Sequence, residues 1–182
     1  MSTYSELIIR AKHGDPNAFQ DLIHADKEKL YRMAFIYMGN EEDALEVFQE
    51  TVYKAFKAIS TLQDNQYYST WMTRILINTA LTLLKRKRKV ILISPEMLEN
   101  HASTDHRQLE EQLDLLQALE ALEERYKSVL LLRFYKDYTI RQIAEILDIP
   151  EGTVKTHIHR GLAILRQQLK GAYDEDRTDS FL

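Results

Sequence analysis

Cysteine is absent from this 182-residue sequence, which excludes disulfide staples, thiol nucleophiles and Cys-ligated zinc. Glycine (5) and proline (3) are scarce, which suits helices better than strand-and-turn architectures. Long hydrophobic runs are missing too, since no apolar stretch approaches the ~20 residues needed to cross a bilayer. The N-terminal segment MSTYSELIIRAKHGD lacks the basic start and apolar stretch of a signal peptide. The expectation is a soluble, cytoplasmic protein. Hydrophobic residues nevertheless make up 45 % of the chain, enough for a packed core, and the length allows one ordinary domain or two small ones.

The net charge of −4 argues against a generic polyanion binder, yet charge is placed unevenly. Residues 1–59 carry a net −3, 60–94 a net +5, 95–125 a net −7, 126–170 a net +4, and the tail from 171 a net −3. Two basic segments alternate with acidic ones, so the protein can touch nucleic acid at two places while staying acidic overall.

The first 89 residues read as helices punctuated by stops. Gly14-Asp15-Pro16 ends one helix, caps the next and opens it with proline in the first turn. Ala18, Phe19, Leu22 and Ile23 then recur at helical spacing until Gly39. Asn40 can cap a third helix, with Glu41, Glu42 and Asp43 at its positive end. Leu45, Phe48, Val52, Phe56 and Ile59 are its expected apolar face. Residues 60–66 read as a polar loop, and a fourth helix is expected from about Tyr67 to Lys89. Residues 90–108 break the pattern and form the linker candidate. Helical periodicity resumes near Leu109. The prediction is all-α: two small helical domains, 1–89 and 109–170, joined by a flexible linker over 90–108 and followed by an acidic tail, 171–182.

The strongest motif is YTIRQIAEILDIPEGTVKTHIHRGLAILRQQL. Thr139 and Gln142 make a capping box. Ile140, Ile143, Ala144 and Leu147 form one apolar stripe, and Asp148 to Gly152 turn the chain. Val154, Ile158, Leu162 and Leu165 form a second stripe, leaving Thr153, Thr156, His157 and Arg160 opposite, flanked by Lys155 and His159. Two helices joined by a tight turn make a helix-turn-helix, whose second helix enters a major groove. Short hydroxyls and an Arg able to pair with guanine suit base edges, and flanking cations suit phosphates.

The fourth helix reads YYSTWMTRILINTALTLLKRKRK. Trp71, Ile75, Leu76, Thr79 and Leu83 can face inward. Arg74, Asn78 and Lys85 lie near one another outside, leading into the five cations Lys85, Arg86, Lys87, Arg88 and Lys89. Tyr67, Tyr68 and Trp71 cluster at the helix start. Aromatics beside cations hold unstacked bases: rings stack on them while the cations hold the backbone.

Taken together, the stretches GDPNAFQDLI, LYRMAFIYMGNEEDA, QETVYKAFKAI, TWMTRILINTALTLLKRKRK and LEERYKSVLLLRFYKDYTIRQIAEILDIPEGTVKTHIHRGLAILRQQL resemble the extracytoplasmic-function group of the sigma-70 family. The resemblance covers nearly the whole chain apart from the linker and the tail. It implies that the first domain (region 2) binds the clamp of core RNA polymerase and melts the −10 element, and that the second (region 4) reads the −35 element of promoter DNA. On that basis the clamp-binding helix is 41–59, with Glu46, Gln49 and Glu50 as polar contacts. The −10 surface comprises Asp64, Asn65, Tyr67, Tyr68, Trp71, Arg74, Asn78 and Lys85 to Lys89. The −35 helix runs from Glu151 to Gln168, with Glu151, Gly152, Thr153, Lys155, Thr156, His157, His159 and Arg160 toward DNA. Three positions depart from the family's pattern: Glu46 stands where Asp is found, Thr82 where Asp is frequent, and His157 where Arg is frequent. The resemblance also implies an anti-sigma factor as partner.

Two other readings set the contrast. A helix-turn-helix regulator of intact duplex would need neither the aromatic-basic helix nor a clamp-binding surface. A metalloenzyme would draw on His101, His106, His157 and His159, but these fall in the linker and on the presumed DNA face without a paired-carboxylate motif. The expectation is therefore a protein with no catalytic residues, no metal, no cofactor and no small-molecule substrate.

Overall fold

The computed structural model describes residues 3–91, 115, 117–119 and 121–178, with side chains as far as Lys87 in the fourth helix and Leu169 in the last. The expected linker beyond residue 91 and the end of the tail, 179–182, lie outside the described residues, as do the side chains of Arg88 and Lys89. The chain divides into two compact units, Met1–Lys89 and Val90–Leu182.

The first unit is built from α1 (Tyr4–Lys12), α2 (Pro16–Met38), α3 (Glu41–Ala58) and α4 (Tyr68–Ile91). Each start has a chemical cause. Thr3 and Glu6 close a capping box on α1. Asp15 accepts from the backbone N–H groups of Asn17 and Ala18 at the head of α2, with Pro16 in the first turn. Arg10 also reaches Asp15 at 2.6 Å. That hydrogen bond, with the helix-start N–H groups, holds the Asp15 carboxyl below the usual carboxylate range. Gly39 ends α2 at φ 73°, a left-handed conformation that glycine adopts without penalty. Asn40 then caps α3.

Helix α2 packs against both α1 and α3. Leu22, Met33, Ala34 and Tyr37 of α2, Ala44, Val47 and Ala55 of α3, and Met72, Leu76, Ile77 and Ala80 of α4 are fully buried. Burying side chains of the size of Leu, Met and Val contributes about 1.5–3 kcal/mol each. The expected apolar face of α3 is corrected by this packing. Its inward side is Asp43, Ala44, Val47, Thr51 and Ala55, whereas Leu45 and Phe56 are 47 % and 52 % exposed. Thr51 goes inward because its hydroxyl donates to the Val47 carbonyl at 2.6 Å, which satisfies the polar group. Phe56 instead meets the Phe19 ring edge-on at 5.2 Å, and Phe48 meets Tyr31. These larger rings cover the seam with α2 rather than fill the core.

The second unit contains α5 (Glu124–Leu130), α6 (Ile140–Leu147) and α7 (Glu151–Thr178). Helix α5 continues into a π-helical turn, Leu131–Tyr135. The Thr139–Gln142 capping box opens α6, and Asp148 closes it at φ 54°. Ile143 and Ile146 are the buried positions of α6; Ile140, Ala144 and Leu147 are half-buried. Helix α7 extends past the expected end at Gln168 to Thr178, so the acidic segment from 171 begins as helix rather than as a separate tail. Gly161 of α7 lies against α5: a Cβ there would meet Leu130 Cδ1 at 3.0 Å and Tyr126 Cβ at 3.2 Å. The glycine is what lets the two helices approach so closely.

Candidate nucleic-acid interface

The segment between α3 and α4 is more ordered than a polar loop. It consists of two 3₁₀ turns, Ile59–Thr61 and Asn65–Tyr67, with Ile59 and Leu62 buried beneath them. Asp64 caps the second turn, accepting from the Gln66 backbone at 3.0 Å. Lys12 of α1 donates to Asn65 Oδ1 at 3.0 Å and to the Gln63 carbonyl at 3.3 Å. Asp64 and Asn65, both expected at the nucleic-acid surface, thus have internal partners that shape the segment.

Tyr67 and Tyr68, adjacent in sequence, have opposite fates. The Tyr67 side chain is 51 % exposed, whereas Tyr68 is 1 % exposed. Tyr68 opens α4 and points into the bundle, edge-on to Tyr4 at 5.9 Å and tilted against Trp71 at 6.0 Å. Its hydroxyl is buried without a hydrogen-bond partner, and burial raises the phenol above its ordinary pKa. The structure therefore removes Tyr68 from the stacking surface. Trp71 is half-buried. Met72, Thr73 and Ile77 join Leu76, Thr79 and Leu83 inside, while Ile75 is half-buried rather than core. Arg74 and Asn78 are exposed one turn apart on α4, as expected.

The cationic end of α4 is partly committed within the protein. Arg86 contacts Glu46 at 2.6 Å and Lys87 contacts both carboxylate oxygens of Asp43. Asp43 is buried. Burial opposes its ionisation, but hydrogen bonds from Lys87 and Asn40 outweigh that and hold the carboxyl below the usual range. Lys85 is exposed. Of the five consecutive cations, two therefore act first as ties between α4 and α3. Sequence reading missed Asp43 because an acid in a first helical turn already has a reason to be there.

Glu46, Gln49 and Glu50 share the solvent side of α3. Glu50 pairs with Lys54 at 3.3 Å. Gln49 and Tyr53 lie with Glu46, Glu50, Thr82 and Arg86 around an open groove of about 450 Å³ between α3 and α4.

In the second unit α7 exposes Glu151, Gly152, Lys155, Thr156, His159 and Arg160. Thr156 donates its hydroxyl proton to the Gly152 carbonyl at 2.9 Å, leaving its lone pairs outward. Val154 and Leu165 are buried, Ile158 and Leu162 half-buried. Thr153 and His157, expected on the outer face, are half-buried at its edge. The His157 ring meets Tyr126 of α5 edge-on at 5.5 Å, and its Nδ1 is buried without a hydrogen-bond partner. Burial, then the neighbouring Arg125 and Arg160, lower its pKa. His157 thus acts first as a packing residue between α5 and α7.

Among the described residues no helix is long and apolar enough to cross a membrane. Residues 22–90 match the family model described as "Sigma-70 region 2", and residues 112–165 that described as "Sigma-70, region 4". RNA polymerase sigma factor SigV of Bacillus subtilis (strain 168) is 35 % identical over 145 residues, which is 79 % of this chain and 86 % of the relative. ECF RNA polymerase sigma factor SigW of the same organism is 30 % identical over 177 residues, 90 % of this chain and 95 % of the relative. Two solved structures share the fold. CnrH, in complex with the cytosolic domain of CnrY, superposes with a TM-score of 0.69 at 21 % identity, covering 92 % of this chain and 97 % of that one. The sigma factor RpoE, in complex with the anti-sigma factor NepR from Bartonella quintana, superposes with a TM-score of 0.73 at 18 % identity, covering 84 % and 96 %. With both region models matched in order and relatives this similar across most of their length, the chain belongs to the extracytoplasmic-function (ECF) subfamily of the sigma-70 family, the RNA polymerase sigma factors that direct transcription initiation through core polymerase and promoter elements.

Proposed function

We propose a division of labour by residue. Residues 1–89 dock on the polymerase clamp and open the −10 element, and residues 109–170 hold the −35 element as duplex. The observation that carries it is what each unit leaves exposed. The first presents an aromatic ring, Tyr67, at the head of α4, and exposes Arg74 and Asn78 further along that helix. The second presents Lys155, Thr156, His159 and Arg160 along one helix. A duplex hides base faces, so a ring gains nothing until a base leaves the stack. Each base stacked on a ring is then worth ~1–3 kcal/mol, which offsets part of the few kcal/mol spent in unstacking it. Hydroxyls and Arg on a helix suit base edges in a closed major groove. Trp71, half-buried against Tyr68, takes a second base. Lys85 holds the opened strand, and Arg86 and Lys87 take part where DNA displaces their carboxylate partners.

Polymerase docking is assigned to Gln49, Glu46 and Glu50 on the outer side of α3. The ion pairs Glu46–Arg86 and Glu50–Lys54 are exposed, and such pairs are worth ~0–1 kcal/mol, so a partner's cations can replace them at little cost. The complexes of CnrH with CnrY and of RpoE with NepR support the expectation that this factor too is silenced by an anti-sigma partner. The phosphodiester chemistry belongs to polymerase.

The test is run-off transcription with core polymerase on a promoter with an intact −35 element and on the same promoter with that element scrambled. Arg160→Ala reduces initiation on the first by ~1–3 kcal/mol equivalent if the guanidinium reads a base, and has little effect on the second. Equal loss on both templates contradicts base reading by Arg160.

A further inference from the structure

We propose that α1, acting through Lys12, is the brace that holds the −10-opening segment 62–67 in its working shape. The proposal rests on the reading that this segment, with Tyr67, opens the promoter. Helix α1 lies before the region 2 match, which begins at residue 22, and the function described so far gives it no task.

Its contacts nevertheless bracket that segment. At one end Tyr4 lays its ring edge-on against Tyr68, the first residue of α4, and its hydroxyl donates to Asp26 of α2 at 2.5 Å. At the other end the Lys12 ammonium donates to the Gln63 carbonyl and to Asn65 Oδ1. Ile8 and Ala11 between them are buried, and the backbone of α1 contacts both 3₁₀ turns.

A cation in the last turn of a helix also satisfies the helix dipole, and that alone would account for a lysine here. It does not account for where the ammonium goes. Lys12 bonds two acceptors more than fifty residues away in the chain, one of them backbone, and both belong to the segment that orients Tyr67. Lys12 and Asn65 are half-buried, so the bond is shielded from competing water more than a surface pair would be. Asp64 and Gln66 tie the turn only to itself. Lys12 is the described side chain that ties it to the bundle through side-chain hydrogen bonds. A segment held beforehand spends less ordering entropy when a base arrives. Lys12 is accordingly a positioning residue: it touches the segment, and the segment touches DNA.

The experiment uses the full chain with core polymerase on a promoter fragment at low salt. Unpaired thymines are read by permanganate, the closed complex by gel shift at low temperature, and the fold by thermal melting. Lys12→Met, which keeps the aliphatic stem, lowers −10 reactivity about tenfold, while the closed complex and the melting midpoint stay as in the parent. Lys12→Arg restores most of the opening. Because Lys12 acts through Asn65, the losses from Lys12→Met and Asn65→Ala overlap in the double variant instead of multiplying. Normal opening by Lys12→Met overturns the brace. So does multiplication of the two losses, which means that Lys12 meets DNA on its own account, and so does a loss shared equally by opening, closed complex and melting, which means a general folding role. Tyr67→Ala is measured alongside: if it opens promoters normally, the reading on which the brace rests fails, and the brace with it.

Discussion

The cationic end of α4 and the outer face of α7 differ in what their cations bond. In the first unit, Arg10, Lys12, Arg86 and Lys87 all bond acceptors within the bundle, and the Tyr67 ring stands exposed at the end of the turn that Lys12 bonds. In the second, Lys155, His159 and Arg160 point into solvent from a helix whose opposite side is packed on α5 and α6. A positive segment sum is therefore a poor guide to a DNA surface. In 60–94 the excess is partly spent against the acids of 1–59, whereas on α7 it stands outward. The first unit is suited to shaping a site that unstacked bases enter, and the second to lying along a duplex.

The strongest challenge to this contrast is a matched pair of core truncations. Leu76 and Leu132 are both fully buried, one in each unit. Leu76→Ala and Leu132→Ala should each cost ~2–5 kcal/mol. Hydrogen exchange should show each loss confined to the unit that carries it. Loss of protection in both units from either change would mean one cooperative body and dissolve the comparison.

A somewhat smaller effect is expected at the α5–α7 contact. Gly161→Val places a branched side chain where a Cβ already meets Leu130 and Tyr126 at 3.0 and 3.2 Å. The expected cost is ~1–3 kcal/mol, seen as a lower denaturation midpoint of the second unit alone.

Acid separates the units by range. His157 has its pKa lowered in the folded protein, by burial and then by Arg125 and Arg160. The unfolded chain therefore binds the proton more readily, and the contribution is present above the ordinary value of 6.5 and declines as pH falls below it toward the folded pKa. The second unit should soften in mild acid, and His157→Phe should remove that dependence. Asp43 has its carboxyl pKa lowered by Lys87 and Asn40 against the cost of burial. Its contribution is present above the ordinary value of 3.8 and is lost as pH falls through the lower folded value. The first unit should hold through mild acid and weaken only in strong acid. Circular dichroism melts between neutral and acid pH check both. Equal softening of the two units in the mild range would contradict the assignment of His157.

Legibility from sequence followed the size of the signal. Helix starts and stops were readable because Asp15, Asn40 and Thr139 carry their own capping chemistry and Gly14 and Gly39 take the left-handed conformation that ends a helix. The facing of α3 was not. Its core side consists of small and polar residues, Ala44, Thr51 and Ala55, while Leu45 and Phe56 stand outside, so hydrophobicity pointed to the wrong side of the helix. Tyr67 and Tyr68 looked interchangeable, because the 3₁₀ turn that ends at Tyr67 decides which ring goes inward. Arg86 and Lys87 looked like free cations because their partners, Glu46 and Asp43, lie forty or more residues away. His157 looked like an outer-face residue because the position of α5 against α7 is a tertiary fact.

The smallest expected effect is at Gly152, where an added Cβ meets nothing within 4 Å. Gly152→Ala should stabilise the second unit by up to ~1 kcal/mol. Any loss in −35 binding that accompanies this gain would mark how closely α7 approaches DNA at that turn.

The measurement that bears most directly on the division of labour is permanganate footprinting of the −10 element beside gel shift of the closed complex, with Tyr67→Ala and Arg160→Ala compared on one promoter. The account predicts that Tyr67→Ala keeps the closed complex and loses thymine reactivity, while Arg160→Ala weakens the closed complex and leaves the opened fraction of bound complexes unchanged. If Tyr67→Ala opens the promoter normally, or if Arg160→Ala abolishes opening among complexes that still form, the account is contradicted.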